Sequence, residues 1–264
     1  MDTSPSSTNQ PNEVSARLEQ LLRDVQKNTS LIRTEVRREA QRVIFESDAR
    51  NYLYEKLNPP VHIGARGTWA CNFQVLSFII DKILDPAVSN PNIVELGSGV
   101  STAWIGLALK QNGNGRLHSV EHDATYQART ESILSEVGAE EFVQMHFAPM
   151  TNNYRHMNAI QDQWYALSWI QTMDSDIDLL FVDGPPSVFG EGIRTPAYPE
   201  LFSKLANHAI VIIDDIQRDD ERRTITYWQQ HANENDAQLT HLCDVGESGV
   251  FEHQTRIHRP SISD

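Results

Sequence analysis

The feature that most limits the fold is an alternation. From residue 92 onward, short apolar runs rich in β-formers alternate with stretches of helical periodicity, the pattern of βαβ units around a mostly parallel sheet. The runs are NIVEL (92–96), RLHSVE (116–121), FVQMHF (142–147), IDLLFVD (177–183), AIVIID (209–214), LTHLCDV (239–245) and GVFEHQ (249–254). Helical patterns fill 101–112, 123–137, 160–172, 197–206 and 218–233. Only a short GES turn separates the last two runs, too little chain for a parallel crossover, so they are expected to form an antiparallel hairpin. The expected class is α/β, a seven-stranded and mostly parallel sheet ending in that hairpin.

A different pattern precedes it. Val14 to Tyr54 contain no Gly or Pro, and Leu18, Leu22, Val25, Thr29, Ile32 and Val36 recur at alternating steps of four and three, a heptad seam. Glu39 interrupts the seam before Val43. A long N-terminal helix is expected over 14–56, ended by Asn58-Pro59-Pro60 because the residue before a proline is pushed out of the helical region. Two readings of the seam stand: a helix packed on its own domain, or a coiled coil joining copies into a homo-oligomer. Residues 1–13, rich in Ser, Pro, Asn and Thr, are expected to be a disordered tail, and 57–264 a separate domain.

Composition removes several function classes. A net charge of −14 argues against a nucleic-acid binder, which needs Lys and Arg against phosphates. Cys71 and Cys243 form no CxxC pair, so neither a structural zinc site nor a disulfide framework is suggested, and a cytoplasmic setting fits. The longest apolar run, VLSFII, is far short of the roughly 20 residues that span a bilayer. The polar start is no signal peptide. A soluble protein is expected.

The stretch IVELGSGVST (93–102) holds the first candidate site. Gly97 and Gly99 fall at the carboxyl end of the first strand, where open α/β sheets bind ligands. A triphosphate loop would need GK[ST], and no lysine follows the turn until Lys110. A dinucleotide fingerprint wants a small third residue where Thr102 stands, which weakens a nicotinamide-dependent oxidoreductase without removing it. Glu95, Glu121 and Asp183 end neighbouring runs. Converging carboxylates would repel a pyrophosphate and attract a ligand that carries a sulfonium, an ammonium and ribose hydroxyls. S-adenosylmethionine is such a ligand.

With these residues in place, ELGSG, HSVEHD and FVDGPP together resemble the class I S-adenosylmethionine-dependent methyltransferases, whose Rossmann-like fold the strand pattern matches. WYALSW, IDLLFVDGPP, IRTPAYPEL and AIVIIDD further resemble a bacterial subgroup often associated with polysaccharide biosynthesis. The likeness covers about residues 57–237. It implies that Gly97, Ser98 and Gly99 let the backbone approach the cofactor, with Glu95 near its amino-acid end. Glu121 would hold the ribose, His122 and Ala148 would flank the adenine, and Asp183 would lie beside the donor.

The acceptor side offers two ways to remove a hydroxyl proton, a positioned base or a divalent cation. Asp183, His156 and His122 are the candidate bases. Asp183, Asp214 and Asp215 offer hard oxygen ligands suited to Mg2+, and they resemble the metal-dependent catechol-type methyltransferases except that Asp215 stands where those carry Asn. The other reading is that Asp183 turns the DGPP loop while Asp214 and Asp215 cap a helix or touch the cofactor. Trp69, Phe73, Trp164, Tyr165 and Phe189 are candidate walls of an acceptor pocket. Arg194 would either bind an anionic acceptor or pair with nearby acids. The expected activity is O-methylation of a sugar, glycan or other small hydroxylated metabolite. A non-catalytic methyltransferase-like domain on a coiled-coil module is the rival from a different class.

Overall fold

A computed structural model of the protein describes residues 10–64, 71–152, 163–173 and 176–256. Trp69 and His156 lie outside them. The chain forms two units, an arm up to Asp48 and a body from Ala49. Helix α1 runs from Gln10 to Leu57, starting a turn earlier than the heptad pattern marks. Asn58 ends it with φ +40°, its N–H donating to Tyr54 O at 2.9 Å, at the predicted Asn-Pro-Pro. Taken by itself, the arm is one helix whose seam residues are all exposed. The body starts earlier than the boundary at residue 57 that the prolines suggest, because Leu53 and Leu57 are buried in its core.

The remaining helices are α2 (Phe73–Ile83), α3 (Val100–Asn112), α4 (Ala124–Val137), α5 (Ala197–Leu201) and α6 (Asp219–Glu234). The strands are β1 (Asn92–Leu96), β2 (Arg116–Glu121), β3 (Val143–Phe147), β4 (Met150–Thr151), β5 (Trp164–Tyr165), β6 (Ile177–Val182), β7 (Leu205–Ile213), β8 (Ala237–Val245) and β9 (Ser248–Thr255). Seven of them form one sheet in the order β3-β2-β1-β6-β7-β9-β8, parallel except at β9, which is antiparallel to both neighbours. The expected seven-stranded sheet with a terminal hairpin is what the chain forms. Strand order reverses between β1 and β6, so the loops after these strands leave in opposite directions and open a crevice at their carboxyl ends.

The sheet is buried on both faces, which is why its parallel strands read as continuous apolar runs. One face packs on α2, α3 and α4 around Trp104, the other around Trp228, Tyr198 and Trp169. Helix α2 does not appear among the predicted helices, although its signals are present. Asn72 caps it, Oδ1 accepting from Val75 N at 2.9 Å, and Val75, Leu76, Ile79, Ile80 and Ile83 form one buried face. Burying each contributes on the order of 1.5–3 kcal/mol.

Two predicted helices are corrected. Within 160–172 the described part is strand β5 and a 3-10 turn over Leu167–Thr172. The aromatic pair Trp164-Tyr165 suits a pleated surface, pairs with Met150 and Thr151 and is buried. In 197–206 the α-helix stops at Leu201, and β7 already begins at Leu205. A bulge hides that early start, for exposed Asn207 and His208 interrupt the apolar run, and His208 sits at φ +72°. Among the described residues no helix is long and apolar enough to cross a membrane.

The hairpin depends on Gly246, which has φ +63° and lies against Asn72; a methyl there would come within 2.7 Å of Asn72 Oδ1. Gly246→Ala is expected to cost about 1–3 kcal/mol through backbone conformation and overpacking, read as a lowered midpoint in urea at unchanged slope.

Candidate active site

The glycine turn and the DGPP loop meet at the point where strand order reverses. Gly97 has φ +99°, and a methyl on it would lie 3.0 Å from Gly184 N. A methyl on Gly184 would lie 2.9 Å from Gly97 Cα and 2.6 Å from the Tyr165 hydroxyl. Both positions therefore need glycine for close backbone approach. Above Gly99 an added Cβ would meet nothing within 4 Å, so the N-cap of α3 has open space beside it.

Below the turn, Glu95 is fully buried. Its Oε2 accepts from Thr102 Oγ1 at 2.5 Å and Ser119 Oγ at 2.7 Å, and Thr102 Oγ1 accepts in turn from Gly99 N at 2.8 Å. The Ser101 hydroxyl also works to hold the Glu95 pKa down, and Oε1 has no hydrogen-bond partner. Burial pushes the Glu95 pKa up to about 7 against the hydroxyls that hold it down, and the Glu121 charge adds to the rise. The threonine that breaks the dinucleotide pattern has a positive role here, tying the acid beneath the turn to the turn itself. Sequence reasoning used Thr102 only to exclude.

Glu121 closes the neighbouring strand end. Its Oε1 accepts from His122 N and Asp123 N, both at 2.8 Å, and its Oε2 accepts from Ser98 N at 3.1 Å and Ser98 Oγ at 3.2 Å. Burial works to raise its pKa, but the bonds from His122 and Asp123 outweigh it and hold the carboxyl below the usual range. His122 stacks edge-on against Phe189 at 5.0 Å, with Tyr165 at 6.3 Å. Ala148 is buried next to them, its N–H on Glu121 O at 2.7 Å. Gly97, Ser98, Gly99, Glu121, His122 and Ala148 are thus brought together at the carboxyl ends of β1, β2 and β3. Tyr165 is fully buried with its hydroxyl unpartnered, whereas Trp164 packs in the core and Phe73 lies edge-on to Trp104.

Across the crevice, Asp183, Asp214 and Asp215 bring one oxygen each within 4.8 Å of one another. Burial and the adjacent Asp214 hold the Asp183 carboxyl well above the usual carboxylate range, with Arg194 pulling the other way. Arg194, only 3% exposed, donates to Asp183 O at 2.8 Å and Asp214 O at 3.0 Å, with Pro185 O at 3.5 Å. Its guanidinium also lies 3.2 Å from Asp215, 3.5 Å from Glu221 and 3.6 Å from the Asp183 carboxylate. Asp215, at φ +64°, takes a further ion pair from Arg218 at 2.9 Å. Of the two sequence readings of Arg194, the geometry drawn is pairing with acids.

Glu221 is the residue that sequence reasoning missed. It is buried, burial raises its pKa to about 7, and its Oε2 is unpartnered. Helix α6 docks on the Arg194 segment through one face. Glu221 meets Arg194, Thr224 Oγ1 lies 3.0 Å from Thr195 Oγ1, and Trp228 Nε1 donates to Thr195 O at 2.8 Å. Glu221, Thr224 and Trp228 at i, i+3 and i+7 of one helix face were the available signal. Arg194→Ala would leave buried carboxylates uncompensated and is expected to cost about 3–5 kcal/mol, measured by urea denaturation.

Asp183, Asp214 and Asp215 are hard oxygen donors at a spacing that could hold a divalent cation, although Asp215 Oδ2 already pairs with Arg194 and Arg218. For the donor side, the unpartnered Glu95 Oε1 and the open space over Gly99 fit a ligand that brings a positive group to a buried carboxylate.

Residues 94–216 match a family model described as a methyltransferase domain, a span that runs from β1 through Asp215. A search of curated proteins found no match. Among solved structures, the chain is similar to the O-methyltransferase TomG of Streptomyces achromogenes, described as involved in tomaymycin synthesis and in complex with SAM. The identity is 18%, 80% of this chain and 89% of that chain are covered, and the TM-score is 0.51. It is similar to an O-methyltransferase of Bacillus cereus in complex with SAH at 14% identity, with 79% and 91% covered and a TM-score of 0.52. An SAH-bound methyltransferase of Podospora anserina matches at 13% identity, over 97% and 99% of the two chains, with a TM-score of 0.54. These likenesses establish the fold, and the family match adds that residues 94–216 are similar to a methyltransferase domain.

Proposed function

We propose that the protein is an S-adenosylmethionine-dependent O-methyltransferase acting on a sugar or other small hydroxylated metabolite. The observation that carries this reading is the half-satisfied, buried Glu95 beneath a glycine turn, with Glu121 and Asp183 at the neighbouring strand ends. Glu95, Gly97, Ser98, Gly99, Glu121, His122, Ala148 and Asp183 would hold the cofactor, which when bound supplies an electrophilic methyl group. The two O-methyltransferases among the similar structures support a hydroxyl acceptor, and the VDGPP resemblance supports a glycan or sugar.

The chain's own residues then have three tasks. Glu95 supplies a buried negative charge to a cationic ligand, Glu121 adds its remaining lone pairs to ribose hydroxyls, and the Gly97–Gly184 contact holds both loops in register. Asp183 is placed to take the acceptor proton, alone or with Asp214 and Asp215 holding a divalent cation that would lower the hydroxyl pKa. Trp69 and Tyr165 are the proposed acceptor-side residues, Tyr165 through its free hydroxyl, while Arg194 holds the acids in place. His156 remains a second candidate base. The N-terminal helix is read as a self-association element.

Calorimetry with S-adenosylmethionine and NAD is expected to show binding of the first alone; tight NAD binding without the other would reverse the assignment. Because the folded pKa of Glu95 is raised from 4.5 to about 7, its ionisation destabilises the unliganded fold as pH rises through that window. A cationic ligand restores the charge, so binding should release a proton and tighten from about pH 5 to 7. Glu95→Gln should lose this dependence, read from heats in buffers of different ionisation enthalpy.

A screen of sugars and phenols with labelled donor, with and without magnesium, identifies the acceptor. Asp183→Asn is expected to lower kcat by about 10²–10⁴-fold while donor binding persists. Full turnover in excess chelator would restrict the three aspartates to charge and positioning.

A further inference from the structure

We propose that the N-terminal helix pairs with the same helix of a second copy of this chain in an antiparallel coiled coil centred near Lys27. This rests on the self-association reading above and adds its orientation and register. Leu18, Leu22, Val25, Ile32 and Val36 are between 55% and 63% exposed, in an arm that is a unit of its own. A helix in water draws most of its stability from packing an apolar face, and a face repeating every 3.5 residues is matched by another helix carrying the same repeat.

In heptad terms, Leu22, Thr29, Val36 and Val43 take position a, and Leu18, Val25, Ile32 and Glu39 take position d. A parallel pair would set Glu39 against Glu39 inside the seam. Its flanking pairs, Asn28 with Arg33, Glu35 with Ala40 and Arg42 with Ser47, contain no opposite charges. An antiparallel pair matches a with d. Centred near Lys27, it layers Leu18 on Val36, Leu22 on Ile32 and Val25 on Thr29, each twice by symmetry. Glu39 then falls against Ser15, beyond the apolar layers.

The flanking e positions are complementary in this register. Glu19 opposes Arg33 of the other copy twice, and Gln26 meets Gln26; such flanking charges set orientation in coiled coils. Sliding one heptad one way shortens the seam. Sliding it the other way places Glu39 against Leu22. This register alone keeps the acid out of the seam and pairs the charges. The contact is isologous and closes as a dimer.

The test uses full-length chains carrying Gln26→Cys or Leu22→Cys, with the unaltered chain as baseline for Cys71 and Cys243. Under mild oxidation the antiparallel register crosslinks Gln26→Cys to its copy and leaves Leu22→Cys uncrosslinked. The reverse result would overturn the orientation while keeping self-association through the arm. A one-chain mass by light scattering, with neither variant crosslinking, would overturn self-association itself. Glu19→Arg should weaken the dimer at least tenfold, and adding Arg33→Glu should restore it, with methyl transfer unchanged; a double variant as weak as the single one would overturn the charge pairing.

Discussion

A buried guanidinium joins the ends of two central strands, and much of the body is arranged around it. Arg194 donates to the carbonyls of Asp183 and Asp214, the residues that follow β6 and β7. A charge at this depth is tolerated only when it is paired and its donors are used. Asp215 and Glu221 pair with it, and α6 reaches the same segment through Thr224 and Trp228. One arginine thereby fixes where strand ends, acids and a helix stand relative to one another.

The opposite wall depends on close backbone approach rather than charge. Gly97 and Gly184 touch where strand order reverses, which places the glycine turn and the DGPP loop on one crevice. Glu95 is buried behind this contact with one oxygen bonded and the other not. A carboxylate kept dry and half-satisfied is costly in the unliganded fold, and a positive ligand relieves that cost. On the proposed reading, one wall receives the methyl donor and the other handles the acceptor proton.

Much of this was legible in the residues. The strand runs marked β1, β2, β3, β6, β7 and the terminal hairpin because parallel strands buried on both faces must be apolar throughout. Helix α2 was overlooked since its apolar run was weighed only as a membrane segment, although Asn72 and the spacing from Val75 to Ile83 spell a capped amphipathic helix. The start of β7 was lost to a polar bulge at Asn207 and His208. In the site, glycines and acids were readable by type and position. Thr102 and Glu221 were not, because their roles lie in partners distant in the fold.

The sequence by itself determined the succession of the sheet's strands along the chain, the hairpin, the heptad seam and the set of acids at the strand ends, since each follows from periodicity or from short-range turn chemistry. Tertiary structure decided which of those acids are paired. Arg194 could equally have faced a ligand until α6 and two strand ends closed around it, and Glu95 could equally have been solvated until Thr102 and Ser119 took one of its oxygens. Burial and pairing of charge depend on groups brought together from separate strands and helices, and no local pattern encodes that convergence.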